Sequence, residues 1–262
     1  MNTVYNKPMK VLSEEDVKCF IEKGYVIIRN AFEKTTATAL ANEVWNIIPE
    51  DQHDRSTWTR PAVEIQDLLT SGPISDLFTT RYVQAIDDLL GEGKWYTNRD
   101  SFGWVPLRFP RPAGEQWQPP LKGWHVDGIK FQHHLSSPEQ GLAGMEMLSD
   151  ILPGGGGTAL RIGSHKHIAR ILHERGDAGI SYRDLCDVAE SSTDFPVEEA
   201  TGNAGDVLWM HPFLIHARSP NVTNNVRVAS NRTISLYEHI RPLEATESEM
   251  SLLELSIKKA LI

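Results

Sequence analysis

From about residue 95 onward, short apolar and β-branched runs are separated by proline and glycine. These runs are KWYTNRDSFGWVPLRFP, GLAGMEMLSDIL, TALRIG, GDVLWMH and VRVASNRTISLY. Each run is long enough for a strand, and turn residues separate it from the next. Such a pattern is typical of β-sandwiches and barrels rather than of a parallel sheet, whose strands alternate with helices. The sequence therefore predicts a mainly β fold with flanking helices.

Helical patterns dominate the first 94 residues. Ser13 precedes a segment with apolar residues at helical spacing, and Gly24 ends that segment before the strand-like run YVIIRN. Two further helices are predicted over TTATALANEVWNII and ISDLFTTRYVQAIDDLLG. We therefore interpret residues 1–94 as an N-terminal helical support that also contributes the first strand.

No repeat, low-complexity tract or long linker divides the 262 residues, so one domain over residues 1–262 is the simplest organisation. Residues 95–240 are its predicted barrel core, with a helical insertion at 166–190. Residues 241–262 end in an amphipathic helix. We expect this helix to pack on its own domain, with a contact in an oligomer as the alternative.

Charge and composition exclude several classes of partner. A net charge of -9, from 26 basic and 35 acidic residues, argues against a nucleic-acid-binding or anionic-membrane surface. Long apolar stretches and a secretion signal are both lacking, so we expect a cytoplasmic protein that acts on a small molecule. Cys19 and Cys186 do not form a C-x-x-C motif, so a metal site would use His, Asp or Glu.

The segment LKGWHVDGIKF, residues 121–131, places His125 and Asp127 one residue apart. One H-x-D triplet is close to chance in a chain with ten histidines, so the pair needs partners. In an extended segment, residues i and i+2 point to the same side, and both side chains then face one site. Two histidines and one carboxylate are the ligand set of non-haem Fe(II) oxygenases, because three coordination positions stay open.

A third ligand is available in residues 205–236, GDVLWMHPFLIHARSPNVTNNVRVASNRTISL. We consider a hairpin in which LIHAR pairs with VRVAS. If His216 lies opposite Arg227, the same register places His211 opposite Arg232, and the two pairs then face opposite sides of the hairpin. Only one pair would face the metal. Both pairs remain candidates at this point, although Pro212 disfavours regular pairing beside His211.

The chain resembles the phytanoyl-CoA dioxygenase-like family of Fe(II)/2-oxoglutarate oxygenases over roughly residues 11–240. The resemblance rests on His125-x-Asp127, on His216 placed 89 residues after the aspartate, and on Arg227 placed 11 residues after that histidine. Three further segments resemble the family's N-terminal helix and strand, its Gly-rich turn and its distal-histidine segment: FIEKGYVIIRNAF, GGGGTALRIGSHK and GDVLWMHPFLIHARSPN.

This resemblance implies a double-stranded β-helix, which is a jelly-roll barrel with helices packed outside. It implies Fe(II) held by His125, Asp127 and His216, and Arg227 bound to the distal carboxylate of 2-oxoglutarate, with dioxygen as the second co-substrate. The expected reaction hydroxylates a small metabolite or natural-product intermediate and releases succinate and carbon dioxide. Desaturation, epoxidation and cyclisation use the same cofactors and are the alternatives.

One position departs from the family. Many members carry a small hydroxyl residue two positions after the distal histidine, where this chain has Arg218. The second contact to 2-oxoglutarate is therefore unassigned. Arg232 is the alternative to Arg227 as the carboxylate anchor, and His211 is the alternative metal ligand.

His133, His134 and Trp104 are candidate substrate contacts, since the two histidines follow the metal motif closely and the tryptophan is suited to a pocket wall. The glycines at 154–157 are predicted to form a turn rather than a phosphate-binding loop, because no Lys-Ser/Thr pair follows them. Two other functions are weighed: a metal-binding jelly roll without oxygenase activity, in which Arg227 is structural, and a cupin-type enzyme that uses another metal and no 2-oxoglutarate.

Overall fold

The computed structural model describes residues 5, 7–65, 72–101, 104–112 and 114–262. The strands in this part of the chain are β1 (Tyr25–Ile28), β2 (Ala62–Ile65), β3 (Trp95–Tyr96), β4 (Val105–Arg108), β5 (Leu142–Met147), β6 (Ala159–Arg161), β7 (Val197–Glu199), β8 (Val207–Met210), β9 (His216–Ala217) and β10 (Arg227–Leu236). The α-helices are α1 (Glu14–Lys23), α2 (Lys34–Ile47), α3 (Thr80–Leu90), α4 (Ser164–Arg175), α5 (Tyr182–Ser191) and α6 (Leu252–Leu261).

The strands form two antiparallel sheets. The larger has seven strands in the order β1-β8-β5-β10-β4-β2, and β3 pairs with the far end of β10. The smaller has the order β7-β6-β9, and a bridge between His125 and His216 adds the segment around His125 to its edge. The predicted mainly β jelly roll with flanking helices is confirmed. Within the described residues the two sheets stay separate and do not close into one continuous barrel.

Side chains along β10 point alternately into two different hydrophobic clusters. Ala229 packs with Leu160 of the smaller sheet in a cluster between the sheets, whereas Val228 belongs to the cluster that the helices cover. Because successive strand residues point to opposite faces, Arg227 lies on the inner face with Ala229, and Arg232 lies on the helix-covered face. The two arginines of the late segment therefore occupy different environments.

The hairpin between LIHAR and VRVAS does not form, so that hypothesis was wrong. His216 in β9 lies opposite Leu160 of the smaller sheet, while Arg227 in β10 lies opposite Arg108 of the larger one. The connection between β9 and β10 crosses from one sheet to the other. Asn221 holds it in place by donating from its side-chain amide to the carbonyl oxygens of Arg108 and Asn225. His216 and Arg227 consequently approach each other from opposite sheets.

The helices follow their predicted starts and stops with one exception. Ser13 forms a capping box at the start of α1, and Gly24 ends that helix at a φ of 88°. The third predicted helix is shorter than expected, because Thr79 caps α3 through the Tyr82 amide and the preceding residues Ile74–Leu77 form a separate 3-10 turn. Helix α6 packs against α1, α3 and α4. None of the helices in the described ranges has the length and apolar character needed to cross a membrane.

The Gly-rich turn at 154–157 binds a carboxylate from its own chain. The backbone amides of Gly154, Gly156 and Gly157 donate to the two carboxylate oxygens of Glu199 at 2.6, 3.0 and 3.0 Å. Gly156 has a φ of 81°, which favours glycine. A Cβ atom there would come within 3.3 Å of the Cβ of Arg108. The turn therefore packs directly on the strand that carries Arg108.

Candidate active site

His125, Asp127 and His216 converge at one end of the space between the sheets. One ligand atom from each side chain lies within 4.8 Å of the other two. The carboxylate oxygen Oδ1 of Asp127 is 3.4 Å from Nε2 of His125 and 3.5 Å from Nε2 of His216. The two imidazole rings have centroids 4.4 Å apart. The structure thus brings together the three predicted ligands, which come from chain segments about 90 residues apart.

The backbone places the two imidazoles. His125 and His216 exchange backbone hydrogen bonds of 3.0 and 2.9 Å, so their Cα atoms are cross-strand neighbours. Each Nδ1 lies beside a carbonyl oxygen, that of Gly123 at 2.9 Å for His125 and that of Leu214 at 3.0 Å for His216. A carbonyl oxygen only accepts, so each Nδ1 carries the proton and each Nε2 presents a lone pair. This tautomer is the one that metal ligation through Nε2 requires.

The charges in this cluster favour an ionised carboxylate. Desolvation opposes charge on Asp127, but the positive charge of His216 in its protonated form and the contact with His125 outweigh it, so the pKa of Asp127 lies well below its usual range. Burial likewise lowers the pKa of His216, but Asp127 outweighs that effect and raises the pKa overall. The carboxylate is therefore anionic at neutral pH and attracts positive charge to this point.

The donor set fits a divalent metal ion. Cis ligands about 2.1 Å from an octahedral ion lie about 3 Å apart, close to the separations between Asp127 and the two histidines. Two imidazoles and one carboxylate are the set that leaves coordination positions open on non-haem Fe(II). In the described part of the chain, no other group of three His, Cys, Asp or Glu side chains has metal-binding geometry.

Arg227 is the residue of the site whose charge lacks a partner. Its side chain is 4% exposed, and Nη1 donates to the carbonyl oxygen of Pro106 at 3.1 Å. Nη2 contacts the thioether sulfur of Met145, and within the described ranges Nε has no hydrogen-bond partner and the guanidinium forms no ion pair with a carboxylate. Burial and the neighbouring guanidinium of Arg108 lower the pKa of Arg227 to about 9. A buried, unpaired cation of this kind is a site for an anionic ligand.

The two alternative residues are engaged elsewhere. On the outer face of β10, Arg232 forms a buried ion pair with Glu146, whose nearest atoms are 2.5 Å apart. His211 is 1% exposed and stacks on Phe20 and His165 at ring-centroid distances of 5.8 and 4.8 Å. Arg232 contributes to the wall of the wider cavity but not to that of the narrower one, which contains Arg227, and His211 lines neither.

Two adjacent cavities meet at the metal cluster. The narrower contains Arg227 at its wall together with Arg108 and Arg218. The wider has a volume of about 700 Å³ and opens toward the ends of β3 and β10. Asp127 and His216 contribute to both walls. This arrangement provides one compartment for a small anion and a second for a larger molecule, with the candidate metal ligands between them.

The three candidate substrate contacts are placed differently. Trp104 lies in the walls of both cavities, with the Arg218 guanidinium 5.1 Å from its ring. His133 is 3% exposed, and its Nε2 lies 3.1 Å from the carbonyl oxygen of Gly128, so it braces the loop that carries Asp127. The ring of His134 packs beside Gly179 of the insertion. Neither of the two histidines lines either cavity.

Sequence reasoning did not select Arg108, Gln140 or Asn231, all of which line the cavities. Arg108 carried one usable signal, because it lies near the end of a strand-like run, two residues before Pro110. The other two give no sequence signal, since an amide side chain in a β run is most often at the surface.

The fold and this site define a class of proteins, the metal-dependent oxygenases of the double-stranded β-helix fold. The sequence matches the family Phytanoyl-CoA dioxygenase (PhyH) over residues 20–229, most of the chain, and the protein belongs to that family. The resemblance found in the sequence is therefore confirmed. Members of the family use Fe(II), 2-oxoglutarate and dioxygen, and these are the cofactors of this oxygenase.

Several solved structures share the fold. The carbocyclase SnoK of nogalamycin biosynthesis, described as non-haem and α-ketoglutarate-dependent, is 18% identical, with 89% of this chain and 88% of that chain covered and a TM-score of 0.53. HygX from Streptomyces hygroscopicus, with nickel and 2-oxoglutarate bound, is 14% identical, with coverages of 92% and 95% and a TM-score of 0.52. EctD from S. alaskensis, with 2-oxoglutarate and 5-hydroxyectoine, is 16% identical, with coverages of 90% and 81% and a TM-score of 0.52. A comparison with curated protein sequences finds no match.

Proposed function

We propose that the protein is an Fe(II)/2-oxoglutarate-dependent hydroxylase of a small molecule, with His125, Asp127 and His216 as the iron ligands and Arg227 as the anchor of the 2-oxoglutarate distal carboxylate. The observation that carries this proposal is a buried arginine with a free Nε beside a cluster of two histidines and an aspartate. An unpaired guanidinium in a protein interior is costly, and a carboxylate ligand removes that cost.

Each side chain has a defined task. The backbone carbonyls of Gly123 and Leu214 fix the tautomer of the two histidines, so that both Nε2 atoms face the same point. Asp127 adds negative charge there. Arg227 holds the far end of the co-substrate by paired hydrogen bonds, which a planar guanidinium makes well. When bound, Fe(II) with 2-oxoglutarate and dioxygen supplies the oxidising chemistry that inserts oxygen into a C–H bond of the substrate.

The wider cavity supports a polar small-molecule substrate. Three of the side chains in its wall have polar atoms that find no partner among the described residues: Nε1 of Trp104, Nε2 of Gln140 and Oγ of Ser101. Unsatisfied donors at a cavity wall favour a ligand with hydrogen-bond acceptors. Hydroxylation is the outcome we propose; SnoK, which is a carbocyclase, shows that cyclisation is the alternative on this fold.

The alternative without oxygenase activity is a metal-binding jelly roll in which Arg227 only supports the fold. The unsatisfied Nε of Arg227 counts against it, because a structural arginine at 4% exposure is normally paired. A cupin-type enzyme without 2-oxoglutarate meets the same objection.

The experiment that tests the proposal is an anaerobic titration of the apoprotein, first with Fe(II) and then with 2-oxoglutarate. We expect a weak visible metal-to-ligand charge-transfer band in the wild type and none in His216→Ala. In Arg227→Ala the band should require on the order of 100-fold more 2-oxoglutarate, because a charge-assisted bidentate contact is lost.

Two controls make this result specific. His239→Ala alters an exposed histidine away from the cluster and should leave the band unchanged. Thermal denaturation of each variant shows whether it is folded. Iron binding by the wild type without a band at any 2-oxoglutarate concentration would overturn the oxygenase proposal and favour the metal-binding protein.

A further inference from the structure

Three arginines surround the narrower cavity. Arg227 and Arg108 are directly opposite each other on the paired strands β10 and β4. Arg218 follows the metal ligand His216 by two residues and lines the same cavity. The carboxylate of Glu64 is the acidic partner that Arg108 and Arg218 share. Three guanidinium groups against the two carboxylates of Glu64 and Asp127 leave the cavity with an excess of one positive charge.

Arg108 is built into this cavity rather than displayed at the surface. It is 7% exposed, and its Nη1 donates to the carbonyl oxygen of Leu107 at 3.0 Å. Its contact with Glu64, at 3.2 Å, is longer than the 2.6 Å contact that Arg218 makes with the same oxygen. Glu64 is therefore the closer counter-ion of Arg218, and the charge of Arg108 is only partly compensated.

The Gly-rich turn fixes the position of Arg108 from above. Gly156 packs so closely that an added Cβ atom would lie 3.3 Å from the Cβ of Arg108 and 3.1 Å from that of Asn221. Asn221 also donates to the backbone carbonyl oxygen of Arg108 at 3.0 Å. The strand end that carries Arg108 is thus held by both contacts, which is the preorganisation that a ligand contact requires.

Arg218 is less suited to that contact. Its side chain is 55% exposed, its guanidinium lies over the Trp104 ring, and Nη1 is bound to Glu64. A ligand would have to displace an ion pair and a ring contact to recruit it. Arg108 already lies beside Arg227, and binding an anion between them would relieve the repulsion of two like charges.

We propose that Arg108 is the second residue that binds the distal carboxylate of 2-oxoglutarate, where it takes the place of the small hydroxyl side chain common in the family. This inference rests on the proposed function. It identifies the co-substrate compartment as a two-arginine site selective for 2-oxo acids with a second carboxylate. Glu64 and Arg218 then form an ion pair at its rim, with Glu64 keeping Arg108 in place while the compartment is empty.

The test measures discrimination between two 2-oxo acids by Fe(II)-loaded protein under anaerobic conditions. 2-Oxopentanoate has the chain length of 2-oxoglutarate with a methyl group in place of the distal carboxylate. In Arg108→Gln we expect the Kd for 2-oxoglutarate to rise about ten-fold and the Kd for 2-oxopentanoate to stay unchanged, because one charge-assisted hydrogen bond is lost. In Arg108→Lys the Kd for 2-oxoglutarate should rise less, since the side chain keeps its positive charge.

Two further variants separate binding from indirect effects. Arg218→Gln removes the other partner of Glu64 and should retain wild-type discrimination. Glu64→Gln/Arg108→Gln removes the acidic group together with the arginine. If this double variant recovers wild-type discrimination, the effect of Arg108→Gln comes from an uncompensated Glu64 carboxylate, and the proposal is wrong. The Kd for Fe(II) and thermal denaturation, measured on every variant, identify a general loss of structure.

The outcomes also distinguish this inference from the proposed function. A wild type that binds Fe(II) but neither 2-oxo acid contradicts the proposed function itself. If the wild type prefers 2-oxoglutarate over 2-oxopentanoate and Arg108→Gln shows the same preference, the proposed function stands and the role of Arg108 is contradicted. Loss of preference in Arg218→Gln instead would assign the second contact to Arg218.

Discussion

The same residue type serves two purposes on one strand. Arg227 and Arg232 are both buried, yet among the residues that the structure describes only Arg232 has a carboxylate partner, Glu146. The spacing of five residues predicts that the two side chains lie on opposite faces of an extended strand, and they do. The sequence does not indicate which face is the inner one, because the partner that neutralises Arg232 lies 86 residues away.

Glu146→Gln tests the difference at the level of single residues. Glu146 is fully buried and accepts hydrogen bonds from Tyr82, Ser230 and Arg232. The variant leaves the charge of Arg232 buried without a counter-ion, so we expect the free energy of unfolding in urea to fall by about 3–5 kcal/mol. Glu115→Gln removes an exposed ion pair with Arg111 and should change it by less than about 1 kcal/mol.

If Glu146→Gln lowers the free energy of unfolding no more than Glu115→Gln does, Arg232 reaches water or another hydrogen-bond acceptor. Binding of 2-oxoglutarate should be unaffected in both variants, since both carboxylates lie outside the narrower cavity.

At the level of elements, local patterns identified most strands and helices but not their partners. Runs with strong β character became β5, β8 and β10, and segments with apolar residues at helical spacing became α1 and α2. The sequence patterns did not predict β2 and β7, because their segments AVEI and VEE are short and contain charged residues. The hairpin prediction failed for another reason: strand pairing is decided by contacts between distant segments, and β9 pairs with β6 rather than with its sequence neighbour β10.

The candidate metal ligands His125, Asp127 and His216 could be selected from the sequence because metal coordination constrains residue type and spacing, and the structure brings the three side chains together. The residues of the cavity walls could not be selected in this way, since residues such as Asn231 and Gln140 line a cavity only through the position that the fold gives them.

Gly24→Ala tests how tightly α1 joins β1. Gly24 has a φ of 88°, and an added Cβ atom would lie 2.5 Å from Nδ1 of the buried His165. Gly93 has a φ of 72°, and no described residue lies within 4 Å of such an atom, so it is a matched control. We expect Gly93→Ala to lower the free energy of unfolding by about 1 kcal/mol, from backbone strain alone. Gly24→Ala should lower the free energy of unfolding by about 1–3 kcal/mol more than Gly93→Ala, because the added methyl group overpacks the site. Equal losses would contradict this packing.

At the level of the whole molecule, buried histidines link stability to pH. His165 and His211 stack on each other between α1, α4 and the end of β8. Burial lowers the pKa of His165 to about 3 and lowers that of His211 well below its usual range. Both are therefore neutral in the folded protein near neutral pH. In the unfolded chain each binds a proton near pH 6.5.

The sign of the effect follows from this difference in proton binding. The stabilisation is fully present above pH 6.5 and is lost as the pH falls below it, because only the unfolded state takes up the protons. Each histidine should lower the free energy of unfolding by about 1.4 kcal/mol per pH unit below 6.5. Urea unfolding between pH 7.5 and 5 measures the slope. His211→Phe should reduce this slope by the contribution of one histidine, whereas His239→Phe, at an exposed position, should leave it unchanged. Identical slopes in wild type and His211→Phe would contradict the prediction.

The carboxylate in the Gly-rich turn also has a consequence for ligand choice. Three backbone amides aimed at one point make a receptor for phosphate in many proteins. Here Glu199 belongs to the same chain as that receptor, and its effective concentration at the turn is in the millimolar range or above. A phosphorylated ligand would have to displace an intramolecular competitor, so the turn is insulated from the nucleotides and phosphate esters around it.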